Sequence, residues 1–276
     1  TLLLATGCRG EKDPATVGST TATVGRIGEN RYYTPANQIL TPTGLQVELP
    51  DLRPQALALS PDGKRLVTAG KTPELVVIEP ATGKILQRVM LPSDSDKDPA
   101  PDAVSTHMLK PDNEGQVSYT GLVFSPDGAR IYLANVNGSI KVFGVEHGTN
   151  VVGLFSIALP PANAPDRKPE IPAGIAISPD GKTLYVCGNL SNRLLELDTS
   201  NGRLLRTWDV GVAPYDVVLA GNKAYVSNWG GRRPDAKSLT GPAGRGTFVR
   251  VDPVRHIASE GSVSVIDLSR DAKPAT

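Results

Sequence analysis

Apolar and polar residues alternate along this chain in short bursts, most regularly over residues 173–204, AGIAISPDGKTLYVCGNLSNRLLELDTSNGRL. Ile175-Ala176-Ile177, Leu184-Tyr185-Val186-Cys187 and the trio Leu194, Leu195 and Leu197 are runs of strand length, and the second is rich in β-formers. Ser178-Pro179-Asp180-Gly181 separates the first two. There proline presets φ, aspartate can bond its own backbone and glycine takes a positive φ. Asn201-Gly202, a strong hairpin signal, stands between the third run and Leu204-Leu205. The stretch therefore predicts a four-stranded antiparallel meander.

The same pattern returns elsewhere. Ala56-Leu57-Ala58-Leu59, the turn Ser60-Pro61-Asp62-Gly63, Leu66-Val67-Thr68-Ala69, Leu75-Val76-Val77-Ile78 and Ile85-Leu86 form one copy. A second has Leu122-Val123-Phe124, Ser125-Pro126-Asp127-Gly128, Ile131-Tyr132-Leu133-Ala134, Ile140-Lys141-Val142-Phe143 and a closing run from Val151 to Leu159. A fourth runs through Val217-Val218-Leu219, Ala224-Tyr225-Val226-Ser227 and Val263-Ser264-Val265-Ile266, and its outer strand is missing. Recurring four-stranded units predict an all-β fold, a β-propeller whose blades hide their apolar faces only against one another.

The strand-b copies Ile131-Tyr132-Leu133-Ala134-Asn135, Leu184-Tyr185-Val186-Cys187-Gly188-Asn189 and Ala224-Tyr225-Val226-Ser227-Asn228, with the Ser-Pro-Asp-Gly turns, resemble the YVTN-repeat propellers of bacteria. The resemblance covers about residues 44–269. It departs at Glu146-His147-Gly148-Thr149-Asn150, which replaces an Asp-x-x-Thr-Gly turn, and at Gly70, which replaces the asparagine. YncE-like envelope members of that family commonly have about seven blades, and some continue into an alkaline-phosphatase-like phosphoesterase domain. The resemblance thus implies about four blades of a seven-bladed ring, with any such catalytic residues beyond Thr276. Gln46-Val47-Glu48-Leu49 alternates like a strand, and residues 44–49 offer the outer strand that a closed four-bladed ring would need.

Repeat spacing locates the insertions. Ser60 to Ser125 spans 65 residues and Ser125 to Ser178 spans 53, against a usual repeat of about 40–45. The surplus falls at 92–119 and 160–172, between an outermost strand and the next innermost one, and a third insertion, 230–261, separates the second and third strands of the fourth unit. In an up-and-down blade these connections emerge on one face of the disc, opposite the Ser-Pro-Asp-Gly turns. Loops on a rigid scaffold carry function. The third insertion holds Arg232, Arg233, Lys237, Arg245, Arg250, Arg255 and His256 against Asp235, Asp252 and Glu260. Guanidinium groups suit carboxylate or phosphate, so Arg232, Arg233, Arg245, Arg250, Arg255 and His256 are candidate ligand-binding residues; a solvated loop with unconverged charges is the competing expectation.

Composition narrows the classes. Twenty-eight glycines and twenty-four prolines leave no long helical window. Twenty-nine basic and twenty-eight acidic residues give a net charge of +1, which lends no support to nucleic-acid binding. Cys8 and Cys187 are too few for a disulfide framework. Leu2-Leu3-Leu4-Ala5-Thr6-Gly7-Cys8 resembles the end of a lipoprotein signal peptide, so residues 1–8 are expected to be its C-terminal part, Cys8 the lipidation site, and the protein exported to the periplasm or cell surface. Residues 9–37 are expected to be a flexible tether, and 38–276 the partial propeller.

Enzymatic signatures are sparse. His107, His147 and His256 lie on separate loops, without a zinc or serine-hydrolase motif. Asp94, Asp96 and Asp98 alternate, but the glycine and terminal glutamate of a calcium loop are missing. Propeller lactonases hold a metal at the channel mouth, where this chain offers Gln55, Thr120, Ala173 and Tyr215-Asp216, one carboxylate in all. Cys187 reads as a small buried hydrophobe. No metal or cofactor is expected. The sequence therefore points to a non-catalytic, membrane-tethered scaffold that takes a protein, glycan or small anionic ligand. The alternatives are a lactonase-like hydrolase, or an accessory domain of a phosphoesterase.

Overall fold

The computed structural model describes residues 23–94, 111–148 and 150–269 and divides into two units, one ending at Gln46 and one beginning at Val47. In the first unit β1 (Gly25–Gly28), β2 (Arg31–Tyr33) and β3 (Ile39–Leu40) form a three-stranded meander. Most of this stretch was expected to be tether. Its turns explain the difference: Asn30 and Asn37 take the left-handed backbone at φ 52° and 58°, and the Thr34 hydroxyl accepts the Gln38 amide at 3.1 Å. Asparagine tolerates that conformation better than other side chains. The first strand turn is thus set locally, without a core.

The second unit is a run of antiparallel sheets joined in chain order. Blade one comprises β4 (Pro54–Leu59), β5 (Leu66–Gly70), β6 (Glu74–Ile78) and β7 (Ile85–Met90). Blade two comprises β8 (Val117–Phe124), β9 (Arg130–Asn135), β10 (Ser139–Glu146) and β11 (Asn150–Ala158), and blade three β12 (Pro172–Ile177), β13 (Thr183–Gly188), β14 (Arg193–Asp198) and β15 (Leu204–Asp209). Blade four begins with β16 (Pro214–Ala220) and β17 (Lys223–Asn228). The hairpin of β18 (Thr240–Gly244) and β19 (Thr247–Arg250) then intervenes before β20 (Ser262–Asp267) completes a three-stranded sheet. The described residues contain no helix.

Three Ser-Pro-Asp-Gly turns are built alike. The hydroxyls of Ser60, Ser125 and Ser178 donate to Asp62, Asp127 and Asp180 at 2.6, 2.5 and 2.5 Å. The same oxygens accept the amides of Arg65, Arg130 and Thr183 at 2.9 Å each. Gly63, Gly128 and Gly181 close the turns at φ 70–73°. These hydrogen bonds, and above all the serine hydroxyl, hold each aspartate below the usual carboxylate pKa.

Strand alternation gives each blade two apolar faces. Ala56, Val67, Ala69, Leu75 and Val77 of blade one meet Leu122, Phe124, Ile131, Leu133 and Phe143 of blade two. Tyr132, Ala134, Ile140 and Val142 of blade two meet Ile175, Leu184, Val186, Leu195 and Leu197 of blade three. Tyr185, Cys187 and Leu194 of blade three meet Val217, Ala224, Val226 and Ile266 of blade four. The innermost strands β4, β8, β12 and β16 pack in that order, and β16 does not return to pack on β4. The blades form an open arc. Residues 46–49 are not a strand and do not complete blade four; Val47 and Leu49, with Leu52, instead cover Leu66, Val76, Ile78 and Ile85 of blade one. Alternating pattern favours a strand only where a sheet edge is available to pair, and here burial on a finished blade takes the same apolar residues.

Candidate functional site

The asparagines ending the second strands organise the loop face. Asn135 accepts the Gln116 amide at 3.1 Å and donates to Ser139 at 3.0 Å. Asn189 donates to the Pro214 carbonyl at 3.1 Å. Asn228 donates to Ser262 and Ser264 at 3.1 and 3.0 Å. All three are buried, so each ties a strand end to the entry of a neighbouring strand.

The insertions are held to this rigid rim. Glu170, buried in the 160–172 insertion, accepts the amides of Ile171 and Leu190 at 2.9 Å and of Ser191 at 3.2 Å. Lys141, a lysine with no exposed side chain, reaches the Pro92 carbonyl at 2.7 Å and the carboxylates of Asp94 and Asp112 at 2.8 Å each. Burial alone would raise the Asp112 pKa; the Lys141 hydrogen bond and charge, with the amides of Glu114 and Gly115, bring it below the usual carboxylate value. The 230–261 insertion meets the 160–172 insertion, for the Asp166 amide donates to the Arg245 carbonyl at 3.2 Å. Asp96, Asp98 and His107 lie outside the described residues.

The six basic candidates are distributed, not focused on one point. Arg232 and Arg250 converge on Glu260, at 3.2 and 2.7 Å. Arg250 also donates to Ser238 at 2.8 Å. Arg233 turns the other way, donating to the Val210 carbonyl at 2.7 Å, to the Asn192 carbonyl and to Asp209 at 3.2 Å. Arg245 occupies the tip between β18 and β19 at φ 51°. Arg255 and His256 belong to a turn organised by Asp252, whose carboxylate accepts the Arg255 amide at 2.8 Å and whose carbonyl accepts the His256 amide at 2.9 Å. The guanidinium groups of Arg232, Arg233 and Arg250 thus meet acceptors of the chain itself.

A feature not singled out as a site in the sequence lies beside them. Tyr119, entering β8, sits edge-on to Tyr215 with ring centroids 5.4 Å apart, and Tyr215, entering β16, sits edge-on to Trp229 at 5.6 Å. Trp229, which follows β17, is 70% exposed. Strand entries and the end of β17 share the insertion face, so the three rings form a ladder at its centre. Tyr119 takes the left-handed backbone at φ 51°, inside the register shift between Val117 and Leu122, a conformation unfavourable for a bulky residue. Burial, and next the neighbouring Tyr215, raise its pKa. Asp216 lies beside the ladder. Its carboxylate accepts the Val217 amide at 2.9 Å, and a Cβ at Gly174 would come within 2.1 Å of its Oδ1. Of the other channel-mouth residues, Gln55 is exposed and Ala173 buried. Cys187 is fully buried, and burial, followed by the charge of Asp216, raises its thiol pKa strongly. Among the described residues no three His, Cys, Asp or Glu side chains are grouped to hold a metal ion.

Repeating sheets packed face to face with their connections gathered at one rim define a β-propeller. No family model and no curated protein sequence matches the chain. Among solved structures, the WD40 repeats of RRP9 align with 66% of this chain and 47% of theirs at 12% identity, with a TM-score of 0.50. A structure of U3-55K gives the same identity and coverages at 0.48, and Kuenenia stuttgartiensis hydrazine synthase gives 20% identity over 80% of this chain and 52% of its own, also at 0.48. The chain therefore spans about half the length of these structures. The WD40-repeat likeness concerns the fold, an all-β propeller architecture.

Proposed function

We propose that this propeller is a binding module whose loop face docks a partner protein, with Tyr119, Tyr215 and Trp229 as the anchoring surface. The aromatic ladder carries this reading. An indole left 70% exposed adds little to folding, and the left-handed Tyr119 backbone costs on the order of 1–3 kcal/mol. Both features are unfavourable to the isolated fold and favourable to docking, where Trp and Tyr are enriched among the residues that dominate affinity. An anion would have to displace Glu260 from Arg232 and Arg250, so those arginines serve to hold the insertion beside the ladder.

Peptides selected from a random phage-displayed library on the intact chain provide the probe. Trp229→Ala and Tyr215→Ala are expected to weaken the selected peptides at least about tenfold, or ~1.4 kcal/mol, while Asp180→Asn on the opposite face leaves binding unchanged. Peptides that bind Trp229→Ala as tightly as the parent refute the reading. The Leu2 to Cys8 motif, outside the described residues, supports attachment of the module to the cell envelope through lipid on Cys8, in keeping with its YVTN-like repeats. Labelled palmitate retained by Cys8→Ser would refute that placement.

A further inference from the structure

Docking on the aromatic ladder also covers a carboxylate. Asp216 follows Tyr215 at the entry of β16, is half-buried, and lies against Gly174 of β12, where a Cβ would come within 2.1 Å of its Oδ1. Tyr119 of β8 reaches Tyr215 past the entry of β12, so strands of blades two and three wall this spot. Oδ1 accepts the Val217 amide at 2.9 Å, and the carboxylate has no cationic partner among the described residues. Other acidic groups of the loop face are matched: Asp112 by Lys141, Asp209 by Arg193 and Arg233, Glu260 by Arg232 and Arg250. The rings of the ladder are equally unclaimed. Among the described residues the guanidinium groups that sit over rings are those of Arg130 on Phe155 and Arg206 on Trp208.

We infer that the partner protein places a lysine or arginine side chain on the ladder, with Asp216 as its counter-ion; this rests on the docking reading proposed above and names the chemistry of the docked group. Two effects select a cation. A neutral partner surface would strip water from Asp216 and leave its charge unpaired, which is strongly unfavourable. A cationic side chain removes that penalty and is itself attracted to the faces of tyrosine and tryptophan rings. Successive rings are turned 63° and 64° from one another. They do not stack flat, and a ring set edge-on to its neighbour keeps face area for an alkyl stem and its charged head. The arginines of the 230–261 insertion do not oppose this, because Arg232 and Arg250 are matched by Glu260 and Arg233 by Asp209.

The test is a double-mutant cycle on the intact 276-residue chain, using library peptides selected on the parent. Asp216→Asn removes the charge and keeps an oxygen for the Val217 amide, so its melting temperature should match the parent's. The selected peptides are expected to share a lysine or arginine. Replacing that residue by its uncharged counterpart, norleucine or citrulline, should weaken binding to the parent about tenfold. The same replacement should change binding to Asp216→Asn little, and peptides selected afresh on Asp216→Asn should lose the shared cation. Two results overturn the inference while leaving the docking reading intact: peptides that need Trp229 but carry no common cation, or a cation whose removal costs the same on the parent and on Asp216→Asn. Peptides indifferent to Trp229→Ala overturn the docking reading itself, and this inference with it.

Discussion

Lys141→Met probes how the 92–119 insertion is held. The side chain is fully buried on β10 and meets two carboxylates and a carbonyl, each at 2.7–2.8 Å. Methionine keeps most of the packing but removes the cation. Asp94, whose side chain is 46% exposed, can recover solvation; Asp112, at 13%, cannot do so without moving. Breaking a buried pair costs about 3–5 kcal/mol, and because one of the two carboxylates is half in water the lower end applies, about 3 kcal/mol. At about 2–4 °C per kcal/mol for a domain of this size, the melting temperature should fall by roughly 6–12 °C. Asp112→Asn should also destabilise, and the double variant should cost less than the sum, with a coupling of about 1–3 kcal/mol. The acid limb gives an independent reading. A folded pKa below the unfolded value stabilises above about pH 4 and is lost as pH falls through the folded value. Removing Lys141 raises the Asp112 pKa and should flatten that loss. Urea titrations of the four chains from pH 2.5 to 7 measure all of this. Additive effects, or a Lys141→Met chain within about 0.5 kcal/mol of the parent, would refute the clamp.

The three serine-held aspartates carry the same sign. Removing the hydroxyl in Ser178→Ala should raise the Asp180 pKa toward the ordinary aspartate value, seen by carboxyl-carbon NMR titration, with no change at Asp62 or Asp127. Tyr185 is pushed up to about 12, first by burial and then by the charge and hydrogen bond of Glu196. Its contribution to stability is present below about pH 10 and lost between 10 and 12, and in Glu196→Val the absorbance change of phenolate formation should begin at lower pH. Cys187 should react with a thiol reagent only at the rate of unfolding; in a Cys8→Ser chain, prompt native-state labelling would contradict its burial.

Sequence and structure agree where the signal is local. The Ser-Pro-Asp-Gly turns and short apolar runs predicted strands because their hydrogen bonds close within a few residues, and connection order alone placed the insertions on one face. The aromatic ladder was not singled out, since Tyr119, Tyr215 and Trp229 come from three separate connections and meet only when blades two and four curve toward each other. An aromatic residue at the entry of two innermost strands was the available signal. The arginines of 230–261 were visible as charges, but the partners of Arg233 were not: Asp209 and the Asn192 carbonyl belong to blade three. For residues 46–49 alternation correctly marked an apolar edge and misassigned its use, because period two does not tell a paired strand from a segment lying on a sheet.

Two departures from the repeat show how an arc of similar blades acquires differences. Lys141 stands where the other third strands have Val76, Leu195 and Ser264, and Glu196 stands where they have Val77, Val142 and Val265, as the ladder pairings align them. Apolar burial is non-directional and holds any blade against any neighbour. A buried charge requires particular partners at particular distances. Lys141 uses that requirement to fix Pro92, Asp94 and Asp112 at the neck of an insertion. Glu196 fixes Arg206, which in turn donates to the Leu268 carbonyl at 2.9 Å, just past the last strand of blade four. Lys141 therefore acts where a blade must hold an insertion that the repeat does not supply, and Glu196 where the turn after β20 is tied to the neighbouring blade. Replacing Lys141 with valine, as at Val76, or Glu196 with valine, as at all three of its equivalents, should preserve the blade and release the segment it holds, a separation that hydrogen exchange at Asp112 to Gly115 and at Leu268 can read directly.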